Sequence, residues 1–158
     1  IISEAAYPYG AHVCEVEIDP QTGGVRVDRY AAVDDVGKAI NPMIVHGQTH
    51  GGVAQGLGQA LSETIIYDSI GQLASGSFMD YALPRADSMP SFATAISEVP
   101  ASTHPLGVRP GGEGGTAGAL AATMNAVVHA LAPMGISHMD MPATPQAVYK
   151  AIRNAQGK

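Results

Sequence analysis

Residues 41–65 carry the start signal and the apolar spacing of a long helix, yet five glycines stand inside it. Asn41-Pro42 offers a side chain that can cap free N–H groups, followed by a proline at the first helical position, where a missing N–H is no loss. Val53, Leu57, Leu61 and Ile65 follow at i, i+4 spacing, so the pattern predicts a helix running to about Tyr67. Gly47, Gly51, Gly52, Gly56 and Gly58 each cost about 1 kcal/mol relative to Ala in a helix interior. A chain that accepts this series gains the close approach of something to the helix backbone, either another element or a ligand.

The flanking segments supply the partners. Residues 11–18 (AHVCEVEI) set Cys14, Val16 and Ile18 on one face and Glu15 and Glu17 on the other. The run 19–24 (DPQTGG) is turn chemistry, and 25–33 (VRVDRYAAV) resumes the alternation, with Val25 and Val27 opposed to Arg26 and Asp28. An antiparallel hairpin is expected. Between 71 and 99, short β-like pieces are broken by Gly76, Pro84 and Pro90, and 92–99 (FATAISEV) is the best strand candidate. A Pro- and Gly-rich loop fills 100–115. A helix is expected over 116–132, with Ala117, Ala121, Met124, Val128 and Leu131 as its apolar stripe, ended by Pro133 and Gly135. Thr144-Pro145 repeats the cap-plus-proline signal before a last short helix with Val148 and Ile152 on its apolar side. Strands and helices without regular βαβ alternation read as α+β: a hairpin and short strands packed with a Gly-rich helix and two later helices.

Composition excludes several function classes. At 158 residues the chain is about one domain and can bury a real core. Its net charge of −6 argues against a nucleic-acid groove or a polybasic membrane patch, which need clustered Lys and Arg. No apolar run approaches the roughly 20 residues that cross a bilayer, so no spanning helix is expected. One cysteine can neither close an internal disulfide nor hold an iron–sulfur cluster. The first residue is Ile rather than Met, so either a processed product or a fragment is expected, and no targeting peptide is visible to choose between them.

Two segments carry candidate chemistry. In 106–118 (LGVRPGGEGGTAG) one acid, Glu113, stands among four glycines just before a helix. Glycines let N–H groups point into open space as an anion-binding nest, and the helix N-terminus adds positive partial charge. Glu113 is therefore either an acid that caps the helix or a general base. The second segment is 46–60 (HGQTHGGVAQGLGQA). His46 and His50, four apart, share a helical face and could bind a metal, but Gly47 stands where a zincin has Glu, so two ordinary histidines are the alternative. Gln48 and Gln55 could bond a polar ligand, or serve as surface or interior amides. Cys14 on an apolar strand face behaves as a small hydrophobe. No Gly-x-Ser-x-Gly elbow and no Walker A run occur.

Taken together, five segments stand in one order along the chain. GAHVCEVEIDPQTGGVRV from residue 10, INPMIVHGQTHGGVAQGLGQAL at 40–61, GSFMDYALPRA at 76–86, HPLGVRPGGEGGTAGALAATMNAV at 104–127 and MPATPQAVYKAI at 141–152 cover nearly the whole chain. The sequence resembles the C-terminal part of the large subunit of molybdenum hydroxylases, the xanthine dehydrogenase, aldehyde oxidase and aerobic carbon monoxide dehydrogenase family. By that resemblance residues 1–158 are the C-terminal portion of a molybdopterin-binding domain.

The resemblance implies roles residue by residue. Glu113 matches the family's catalytic base. Gln48 matches the glutamine that opens a Gly-Gln-x-x-Gly-Gly helix near the molybdenum–pterin centre, with Gly51 and Gly52 as its glycine pair. Gly111 and Gly112 would bring main chain to the cofactor, and no side chain of this chain is assigned to the metal itself. Where the family usually has Lys-Gly or Lys-Ala, this chain has Arg109-Pro110, and Pro110 removes a donor ahead of the base. The implied reaction is oxidation of an aldehyde, an N-heterocycle or carbon monoxide with water as oxygen source. The implied cofactor is molybdenum–molybdopterin, in some members as the cytosine dinucleotide. 2Fe-2S clusters and FAD are expected on partner domains or subunits, and the cytoplasm, or else the periplasm, is the expected location. The isolated chain is not expected to be a competent enzyme. Competing readings are a non-catalytic assembly module of such a complex and a His46/His50 metal-binding domain.

Overall fold

A computed structural model describes residues 5–157. Strands β1 (Tyr9–Ile18) and β2 (Val25–Asp35) form the antiparallel hairpin, each two residues longer than the alternation suggests. Its turn is closed by Asp19, whose backbone exchanges bonds with Gly23 and Gly24. The Gln21 N–H and then the Thr22 hydroxyl bond its carboxyl and hold it below its ordinary range.

A bulge interrupts the pairing: Glu15 faces Arg29, but Val16 faces Val27, leaving Asp28 as the extra residue. The bulge reverses the phase of β2, so Val25 and Val27 before it and Tyr30, Ala32 and Asp34 after it all turn to the interior. β3 (Phe92–Ser97) then adds to β2 in parallel, from Tyr30 opposite Phe92 to Asp35 opposite Ser97. The result is a three-stranded mixed sheet in the order β1-β2-β3 with three α-helices, an α+β fold.

Helix α1 (Pro42–Leu61) starts as expected, with Asn41 Oδ1 accepting from the Ile44 N–H. It ends six residues before Tyr67. The Gly58 carbonyl accepts both the Ser62 and Glu63 N–H groups, and the Ser62 hydroxyl donates to the Ala82 carbonyl. Beyond Leu61 no core remains for the apolar spacing to use: Ile65 is exposed, and Tyr67 pairs instead with Leu73.

Helix α2 (Gly114–Leu131) buries Gly115, Ala119, Thr123, Val127 and Leu131. This corrects the expected stripe, of which Leu131 is buried while Ala117 and Ala121 face outward. The cause is the partner helix. A Cβ on Gly56 would lie 2.6 Å from the Ala119 Cβ, and one on Gly52 would lie 2.8 Å from the Thr116 nitrogen, so the smallest residues of both helices define the crossing. Residues 114–134 are, by length and composition, apolar enough to span a bilayer, which corrects the expectation that no stretch is. Of these residues Gly115 and Ala119 pack α2 against α1, and Val127 and Leu131 enter the core.

Two joined clusters make the core. Val27, Tyr30, Ala32, Val53, Leu57 and Ala119 fill the space between sheet and helices. Val127 and Leu131 meet Val148 and Ile152 of α3 (Pro145–Ala155), which Thr144 caps through the Ala147 N–H.

Candidate functional site

The two Gly-rich segments meet at one end of the molecule, where the first turns of α1 face the N-terminus of α2. Gln48 is exposed on α1, and its Nε2 lies 3.9 Å from where a Cβ on Gly112 would sit. Glu113, the next residue, occupies the N-cap position of α2 but makes no side-chain bond to the helix. Its exposed carboxylate forms no hydrogen bond or ion pair among the described residues, so the capping role is not the one it fills here. The backbone N–H groups of residues 111–116 likewise bond to nothing among the described residues. Free donors at a helix N-terminus favour an anion. Gly47 and Gly51, beside Gln48 on α1, have nothing within 4 Å of a Cβ position. Gly52 is different: it is buried in the helix crossing against Gly115, not on the open flank.

The loop that delivers Glu113 is tied down at its root. The Arg109 N–H donates to the Val36 carbonyl at 2.7 Å and the Lys38 N–H to the Gly107 carbonyl at 2.9 Å, with Gly37 and Gly107 both at positive φ. The Arg109 side chain reaches further. It donates to the carbonyls of Val99 and Tyr7, lies 3.8 Å from Asp35 Oδ1 and stacks over the Tyr9 ring. Pro110, which lacks an N–H, thus follows a residue that anchors the loop by both main chain and side chain.

Behind this loop lies a polar network that sequence reasoning missed. Asp34, 6% exposed, accepts from Thr49 Oγ1 at 2.9 Å and from His12 Nε2 at 3.1 Å. The other ring nitrogen of His12 is 2.7 Å from the Tyr30 hydroxyl. Burial first, then the nearby Cys14 and Asp34, push the Tyr30 phenol well above its ordinary value. The phenol therefore keeps its proton, and His12 bridges it to the Asp34 carboxylate, which accepts from Nε2. Gly118 lets the His12 ring lie against α2, since a Cβ there would sit 2.5 Å from Nδ1. A signal for His12 was present: it continues the inward face of Cys14, Val16 and Ile18. Asp34 had none, because the bulge breaks the alternation before it.

The remaining candidates are engaged locally. His46 and His50 flank one hydroxyl, that of Thr94, at 2.8 and 3.1 Å. No group of three His, Cys, Asp or Glu able to hold a metal occurs among the described residues. Gln55 accepts from Thr116 Oγ1 and helps tie α1 to α2.

Comparison with known proteins gives this geometry a context. The family model for the molybdopterin cofactor-binding domain matches residues 3–90. The chain is 42% identical, over 96% of its length, to the nicotine 6-hydroxylase large subunit of Paenarthrobacter nicotinovorans. It is 39% identical, over 93% of its length, to the carbon monoxide dehydrogenase large chain of Hydrogenophaga pseudoflava. It spans 18% of the length of each of these relatives. The structure of reconstituted CO dehydrogenase from Oligotropha carboxidovorans superposes with a TM-score of 0.91 at 36% identity, covering 94% of this chain and 18% of that one.

Proposed function

This chain belongs to the molybdopterin cofactor-binding domain family of the molybdenum hydroxylases, and on that premise we propose that it carries the proton-accepting carboxylate of such an enzyme's active centre. The observation that carries this reading is Glu113 itself: an exposed acid at a helix N-cap that leaves the helix uncapped and follows Gly112, which lies against Gln48.

The residues present suit the group. A pterin cofactor bearing phosphate needs donors, and the free N–H groups of 111–116 and the Gln48 amide supply them. The bare flank at Gly47 and Gly51 leaves room for a bulky ring system. When bound, the molybdenum cofactor supplies the two-electron oxidation. Gln48 and the loop main chain hold and orient the pterin, and Glu113 accepts the proton released as substrate is hydroxylated. Arg109 keeps the loop from moving as the carboxylate gains its proton. The substrate is an aldehyde, an N-heterocycle or carbon monoxide. Iron–sulfur and FAD partners that carry the electrons away, the cytosine dinucleotide form of the cofactor and a cytoplasmic location belong to the same reading.

The test uses the complete enzyme. Glu113→Gln should retain molybdenum and pterin while kcat falls on the order of 10²- to 10⁴-fold, the usual worth of a positioned base. Gln48→Ala should lower pterin content. Wild-type turnover in Glu113→Gln removes the base and leaves the non-catalytic assembly module as the reading, and unchanged pterin content in Gln48→Ala removes the role of Gln48.

A further inference from the structure

The buried network behind the loop is not used by the chemistry proposed above, yet it touches both halves of the site. Asp34 receives the hydroxyl of Thr49, the residue after Gln48. Its carboxylate also lies 3.8 Å from the Cβ position of Gly114, the residue after Glu113. The two neighbours meet each other as well, since a Cβ on Gly115 would be 2.6 Å from the Thr49 carbonyl oxygen. His12, held in turn by Tyr30, fixes the carboxylate from the side of β1. A buried carboxylate with polar partners is weak evidence for stability, because well-packed apolar residues of similar volume often do as well. What such a network supplies is fixed geometry.

We propose that Asp34 is a positioning residue: anchored by Thr49 and His12 beneath the first turn of α2, it sets the separation between Gln48 and Glu113. The proposal rests on the reading of Glu113 as proton acceptor. Asp34, 6% exposed, acts through the turn above it. A misplacement of the base by about 1 Å is enough to cost on the order of 10²-fold in rate.

In the complete, molybdenum-loaded enzyme, Asp34→Asn and Thr49→Val should lower kcat per molybdenum about 10- to 100-fold with KM within about threefold, while Thr49→Ser, which keeps the hydroxyl, stays near wild type. Adding Asp34→Asn to Glu113→Gln should lower the rate by less than about threefold more, since both act on one step. Amide hydrogen exchange gives a readout independent of turnover. Residues 117–120, whose helical acceptors are residues 113–116, should exchange at least about fivefold faster in Asp34→Asn, with 124–131 unchanged. Wild-type kcat per molybdenum in both single variants overturns the proposal, as does unchanged exchange at 117–120. Loss of molybdenum with normal kcat per molybdenum also overturns it, because that is a structural role. Should Asp34→Asn fail to fold, the near-isosteric Thr49→Val decides by the same rates and the same exchange. If Glu113→Gln proves fully active, the base assignment falls, and the exchange at 117–120 still reports whether Asp34 holds the turn.

Discussion

Cys14 lies half-buried on the inward face of β1, where burial pushes its thiol above the usual range. The buried Thr123 hydroxyl opposes this only weakly and has no partner of good hydrogen-bond geometry among the described residues. A raised pKa means less thiolate at pH 8, so alkylation of Cys14 in the folded protein should be at least about threefold slower than in a free peptide. Peptide-level mass spectrometry after timed iodoacetamide treatment checks this, and equal rates would contradict the packing described. The same scale shows what the sequence could convey about the site. Gln48 and Glu113 were legible as candidates because motifs of ordered spacing point to them. Thr49 and Asp34 were not, because a buried hydroxyl and a buried carboxylate 15 residues apart become partners only once a bulge and a helix crossing bring them together.

Among the elements, the crossing of α1 and α2 does most to form the site, since it brings Gln48 next to Gly112. Gly56→Ala must push the Ala119 Cβ and the Thr116 carbonyl away from contacts of 2.6 and 3.0 Å. It should destabilise the fold by about 1–3 kcal/mol. Gly51→Ala meets nothing within 4 Å and should instead stabilise by about 0.5–1 kcal/mol through helix propensity. Urea midpoints of the two variants check the pair, and equal shifts would contradict the crossing. The glycine run in the sequence therefore combines two causes. Gly52 and Gly56 serve a neighbouring helix, whereas Gly47 and Gly51 leave a surface bare, and periodicity alone cannot separate them. The caps at Asn41 and Thr144 were legible because they are local chemistry. The end of α1 and the orientation of α2 were not, since each is decided by what the helix packs against.

At the scale of the molecule, the sheet is covered on one face by α1 and α2, while Val13 on its other face is 68% exposed. Ile70, Phe78 and Met79 between α1 and β3 are exposed as well. A chain that spans 18% of its relatives' length is expected to show such surfaces, and the site lies at one end of the fold, where α1 meets the start of α2. The function proposed for this end is to contribute a proton acceptor to a molybdenum-dependent oxidation. Its most direct test is the rate at which substrate reduces the complete enzyme in the absence of an external electron acceptor, compared between wild type and Glu113→Gln at matched molybdenum content. The reduction rate should be at least about 10²-fold lower in Glu113→Gln. Equal rates at equal molybdenum content would contradict it.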